Sequence, residues 1–184
     1  EECLHDSSIL PEIKENFLLP AARSARHLLA TINDIIDYSK FRSGDLSLNL
    51  QSQSLVKTAK EAMEVFELQA KTKNLNLKLQ LPSQDWDREV LTDHEKVLRV
   101  MINLLSNAVK FTYEGTITLR IIEEMPRTPF LRVEVEDTGI RISEEDQKYI
   151  FRNKSDYHEG KYPSSQGAGL GLTISNILAK KLGS

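Results

Sequence analysis

The chain is short of cysteine, of long apolar runs and of positive charge, and each shortage closes off a class of function. One cysteine in 184 residues, Cys3, leaves no internal disulfide framework and fits a reducing compartment, so a cytoplasmic location is expected. No run of eighteen apolar residues occurs and no signal-peptide pattern opens the chain, so no membrane contact is expected from this piece. The formal net charge is -3, without the basic stripe that nucleic-acid binding usually requires, and DNA and RNA drop out as leading partners. The chain opens on Glu1 rather than Met, so it reads as a piece of a longer parent, and a membrane anchor in that parent stays an open alternative. No internal repeat or low-complexity tract is present.

What is present suits a folded domain. With 40% hydrophobic and 28% charged residues, the chain can bury a core in one domain and carry an appendage besides. Residues 1–20, with Pro11 and Pro20, predict a helical stub or an irregular lead-in. From Ala21 to Phe41 the apolar residues Leu28, Ile32, Ile35 and Ile36 recur at helical spacing, giving a long amphipathic helix that Gly44 ends. Its apolar stripe needs a partner, in this chain or in a second copy, and homodimerisation through this helix is the expectation. Alternation at Leu46, Leu48 and Leu50 is strand-like; Leu55 to Lys73 is helical; Leu75 to Leu81 alternates strictly and stops at Pro82. A further helix is expected from Asp93, a capping residue, to Lys110. Strands follow at Thr116 to Ile122 and Leu131 to Val135, joined by the turn-forming MPRTP. Ser143 with Glu144, Glu145 and Asp146 predicts another helix start. Residues 152–166 read as a mobile loop and the last helix starts near Gly169. The order suggests an α+β fold, an α/β sandwich whose mixed sheet is covered by helices on one face, with residues 1–44 as a helical region in front of a domain at 45–184.

Three local patterns in that domain carry chemistry. In NLLSNAVKFT, residues 103 to 112, Asn103 and Asn107 share one helix face, with Lys110 close by. Asn is a poor mid-helix residue, so two of them four apart need a reason. An amide oxygen suits Mg²⁺, which wants hard oxygen ligands and is usually shared with substrate phosphates, and a lysine neutralises phosphate. Amides facing solvent or capping a strand are the plain alternative. In VEVEDTGI a strand delivers Asp137 to a turn at Gly139. A carboxylate there can accept a hydrogen bond from the exocyclic amino group of adenine, or it is simply a turn at a strand end. In QGAGLGL, Gly167, Gly169 and Gly171 alternate ahead of a helix, so that free backbone N–H groups form a cradle for an anion, or else a flexible hinge. Between the last two patterns lie the basic residues Lys154 and Lys161.

With these residues in view, NLLSNAVKFT resembles the N box, DTGIRI the G1 box and GAGLGL the G2 box of the GHKL, or Bergerat-fold, ATP-binding superfamily, and specifically its sensor histidine kinases. Upstream, SARHLLATINDIIDYSKFRSGDL resembles the second helix of the dimerisation and phosphotransfer hairpin, and the resemblance covers roughly residues 20–182. It implies a Mg-ATP site in which Asn107 is the principal metal ligand and Asn103 assists. Lys110 contacts phosphate, Asp137 binds the adenine amino group, and Phe111 either lines the adenine pocket or packs in the core. Gly139, Gly167, Gly169, Gly171, Leu172, Lys154 and Lys161 complete the implied nucleotide-binding set. It also implies phosphoryl transfer to histidine in two-component signalling, with a response-regulator receiver domain as onward partner. The hydrolysing members, such as gyrase and the Hsp90 chaperones, carry a glutamate where this chain has Asn103. An amide cannot act as a general base, which favours phosphoryl transfer over hydrolysis.

Four departures bear on activity. No H box like HELRTP is present, and neither His5 nor His27 sits where the acceptor belongs, so the expectation is a chain that binds ATP without phosphorylating itself in cis. Arg141 replaces a G1 glycine, and either obstructs the pocket or reaches a phosphate. RNK follows Phe151 where the family places an aromatic, and the chain stops before the family's last two strands. A degenerate nucleotide-binding or dimerisation module without kinase activity is therefore the alternative function.

Overall fold

The computed structural model describes residues 13–124, 131–148, 150–151 and 171–183. The MPRTP turn, the 152–166 loop, Lys154, Lys161, Gly167, Gly169, Cys3 and His5 lie outside the described residues, and so does the side chain of His27. The chain divides between Leu46 and Ser47 into two units.

In the first unit a single π turn, Lys14–Leu18, runs into helix α1, Leu19–Ser43. The described part of the lead-in is therefore helical, and Pro20 does not interrupt it. It falls in the first turn of α1, where a missing N–H breaks no intrahelical bond. Gly44 ends the helix in the left-handed conformation, φ +80°, with its N–H bonded to the Phe41 carbonyl at 3.1 Å. Leu28, Leu29, Ile32, Ile35 and Ile36 of α1 are all exposed.

The second unit holds the sheet. Its order is strand β1, Gln51–Ser54; helix α2, Leu55–Thr72; β2, Leu75–Gln80; β3, Glu89–Thr92; helix α3, His94–Phe111; β4, Gly115–Glu123; β5, Leu131–Asp137; the short turn α4, Glu144–Gln147; and helix α5, Gly171–Leu182. Strands β2, β4 and β5 form a mixed sheet, with β4 central, parallel to β2 and antiparallel to β5. The alternation seen in the sequence decides which face is covered. Ile117, Leu119 and Ile121 are buried at 0%, 0% and 2% exposure, and join Leu75 and the α2 and α3 residues Ala59, Ala62, Phe66, Met101, Leu105 and Val109 in one core. The intervening residues form a polar ladder. Arg120 donates to Gln80 at 2.7 Å and pairs with Glu134 and Glu136. Trp86 is buried in the core and donates its indole N–H to Glu123 at 3.2 Å, tying the segment after β2 to the end of β4.

Two expectations need correction. The Leu46, Leu48, Leu50 alternation is not a strand, since the ladder begins at Gln51, where β1 pairs antiparallel with β3. The strand at 89–92 has no counterpart among the expected elements, because EVLT is four residues long and its partner QSQS is wholly polar. Register with β1, Gln51 opposite Thr92 and Ser54 opposite Glu89, is what makes it one. The capping expectations have structural counterparts. Asp93 Oδ1 accepts from Lys96 N at 3.1 Å and Ser143 Oγ accepts from Asp146 N at 3.1 Å.

Candidate functional site

Those of the residues singled out by the sequence that the structure describes gather around helix α3, which is fixed at both ends. At its start the Asp93 carboxylate, 4% exposed, caps the helix through Oδ1 and accepts from Asn49 N through Oδ2 at 2.9 Å. His94 joins α3 to α2, with Nδ1 2.9 Å from Thr58 Oγ1 and Nε2 3.2 Å from Glu61. At its end the Lys73 ammonium donates to the Val109 carbonyl at 2.7 Å, satisfying one of the carbonyls that a helix terminus leaves without an intrahelical partner. Asn103, Asn107 and Lys110 sit on the rigid rod between these anchors.

The last turn of α3 carries the Asp137 turn. Thr112 is fully buried and donates its hydroxyl to Asp137 Oδ1 at 3.3 Å, and Gly139 N–H donates to the same oxygen at 2.8 Å. Ile140 N–H bonds the Phe111 carbonyl at 3.1 Å. A side chain at 139 would collide with that carbonyl, so glycine is what lets the turn approach the helix end. Phe111 is 40% exposed, which places it outside the core, and the Lys110 ammonium lies over its ring at 5.0 Å from the centroid. The exposed carboxylate of Asp137 is thus held through one oxygen at the end of α3.

Asn103 does something the sequence did not reveal. Its Nδ2 donates to Ser175 Oγ at 2.8 Å, and its Oδ1 lies so close to Gly171 that any Cβ there would collide with it. The amide therefore latches α5 onto α3. Leu172 follows Gly171 in the first described turn of α5 and is half-buried. Next to it, Thr173 Oγ1 is buried without a hydrogen-bond partner among the described residues. Asn107 is half-buried, and among the described residues its amide makes no hydrogen bond. Arg141 is exposed. A cleft of about 320 Å³ is lined by Tyr113, Glu114, Thr138, Gly139 and Ile140; it borders the Asp137 turn at Gly139 and does not include Asn103, Asn107 or Lys110. Among the described residues no three His, Cys, Asp or Glu side chains converge on a common point. A half-buried amide and a carboxylate with one oxygen already engaged are acceptors suited to a cation and to an amino donor.

A sequence profile described as "Histidine kinase-, DNA gyrase B-, and HSP90-like ATPase" matches residues 92–184, the span that holds every one of these site residues. The chain belongs to this family. Within it the relatives include sensor histidine kinases: the chain is 32% identical over 182 residues to sensor histidine kinase GacS of Pseudomonas protegens, an alignment covering 98% of this chain and 20% of GacS. The chain spans about a fifth of the length of the curated relatives it matches. In fold it is similar to ShkA, solved in complex with AMPPNP, with a TM-score of 0.73 and 23% identity over 98% of this chain and 36% of that one. It is also similar to histidine kinase ThkA in complex with response regulator protein TrrA, with a TM-score of 0.56 and 26% identity over 83% of this chain and 42% of that one. The mixed sheet with its helical cover is the fold of histidine kinase catalytic domains.

Proposed function

We propose that residues 45–184 bind Mg-ATP and form the ATP-binding catalytic region of a sensor histidine kinase, moving a phosphoryl group to a protein histidine, with a response-regulator receiver domain as the onward acceptor. The observation that carries this reading is the Asp137 carboxylate, fixed by Thr112 and Gly139 against the end of the very helix that presents Asn107 and Lys110. Asp137 takes the amino group of adenine through its second oxygen. Phe111 offers a ring face to the base and Lys110 a charge to a phosphate. Asn107 holds the cation through its amide oxygen, and Asn103, oriented by Ser175, assists. A Mg²⁺ ion held there by Asn107, with Asn103 assisting, would neutralise phosphate charge. Gly171 and Leu172 open α5, and together with Gly167, Gly169, Lys154 and Lys161 they complete the phosphate side. Asn103 stands where a general base would activate water, which favours transfer over hydrolysis. ATP use places this region in the cytoplasm.

The test is calorimetric titration of the full chain with ATP in the presence and absence of Mg²⁺. Asp137→Asn is expected to remove measurable binding of ATP, and Asn107→Ala to remove the Mg²⁺-dependent part of the affinity. Unchanged isotherms for both variants sink the proposal. Arg141, exposed where the family has glycine, supports the second reading of a nucleotide-binding or dimerisation module without kinase activity. Labelled phosphate passing from ATP to a histidine hairpin supplied in trans excludes that module.

A further inference from the structure

We infer that Thr112 is the positioning residue that gives the site its selectivity for adenine, a role that rests on the reading of Asp137 as the adenine acceptor. Asp137 is exposed, so packing does not fix its side-chain torsions; hydrogen bonds have to. Two donors converge on it, the Thr112 hydroxyl at 3.3 Å and the Gly139 N–H at 2.8 Å, and both choose Oδ1. A carboxylate oxygen offers about two lone-pair sites, so Oδ1 is filled and Oδ2 is left as the acceptor for a ligand. That is the arrangement an amino group requires and a carbonyl group rejects.

The two donors differ in rigidity and origin. Gly139 N–H belongs to the same turn as Asp137 and moves with it. Thr112 belongs to the C-cap of α3, where its own N–H is bonded to the Ala108 carbonyl at 2.9 Å. It is buried to 0% exposure, and a buried hydroxyl keeps its partner because no water replaces it. Thr112 is therefore what refers the carboxylate to the helix that carries Asn107 and Lys110. Without it, Asp137 can turn about the Gly139 contact and present a differently aimed oxygen, and an acceptor without fixed aim discriminates poorly between an amino and a carbonyl edge.

The experiment measures ATP and GTP affinity, by competition against a fluorescent ATP analogue, for the full chain and for Thr112→Val, Thr112→Ser and Asp137→Asn. Thr112→Val keeps the shape and removes the donor. Its ATP affinity is expected to fall about fivefold to tenfold while GTP affinity stays put, so the ATP:GTP ratio falls by that factor. Thr112→Ser keeps the hydroxyl and restores the ratio. Should Thr112→Val fail to fold by circular dichroism, Thr112→Cys, whose thiol is a weak donor, is expected to give an intermediate ratio. A folded Val or Cys variant with the wild-type ratio, alongside an Asp137→Asn that loses ATP, overturns the role of Thr112 and leaves the adenine reading standing. An Asp137→Asn that keeps both affinity and ratio overturns the adenine reading and this inference with it.

Discussion

A methyl group at residue 139 has nowhere to go. A Cβ there would run into the Phe111 carbonyl oxygen and stand 2.8 Å from Asp137 Oδ1, and of these neighbours the first is backbone and cannot rotate aside. Gly139→Ala is expected to cost about 1–3 kcal/mol, the usual range for forcing extra volume into a close contact, and a urea midpoint reads it directly. Because the turn must back away from α3, ATP affinity should fall in the same variant. At this scale much of the site was legible. Asp137 and Gly139 stood out as a carboxylate and a glycine at a strand end, and Asn107 and Lys110 as polar intrusions on an apolar helix. Thr112 carries a weaker signal, a hydroxyl directly after the last helical residue, since such side chains look for a partner near the terminus. The bond from Asn103 to Ser175 was not legible: it spans 72 residues, and no local pattern encodes an encounter at that distance.

Among the elements, α3 is the one that the others hold. α2 reaches it from Thr58, Glu61 and its C-cap residue Lys73, the Asp137 turn caps its end, and α5 is fastened to its middle by Asn103, Ser175 and Gly171. Among the described residues one side-chain hydrogen bond, Asn103 to Ser175, adds to the apolar packing of Ile174 and Leu178 in holding α5. Ser175→Ala therefore leaves the Asn103 amide unsatisfied at a half-buried site, and about 1 kcal/mol of stability should go with it. Hydrogen exchange locates the loss. Amides of α5 are expected to exchange several-fold faster while those of β4 hold their rates, and a uniform change across the chain would mean that Ser175 has no local role. Helices α1 and α2 and strand β2 were legible by their period, α3 by its carboxylate cap as well, and α4 by Ser143 and the carboxylates that follow it. Strand β3 was not, since four residues opposite a polar partner carry no period worth the name.

At the scale of the whole molecule the first unit poses a separate question. Its helix shows a stripe of Leu28, Ile32, Ile35 and Ile36 to solvent, more apolar surface along one face than single helices ordinarily leave open. Homodimerisation through α1 is the proposal that accounts for it. Ile32→Asp combined with Ile36→Asp is expected to give a monomer by light scattering with the second unit still folded, and a dimer of unchanged strength would refute the assignment. Length and period made α1 readable from sequence, whereas the identity of its partner has no local signature. The second unit carries a different constraint, which concerns how it comes into being. Parallel pairing of β2 with β4 brings Leu75 opposite Gly115, about forty residues along the chain, and α3 is the greater part of the crossover between them. The sheet cannot close until that helix has been laid across it, so the wall of the proposed nucleotide site is also the span over which the loop-closure entropy of folding is spent.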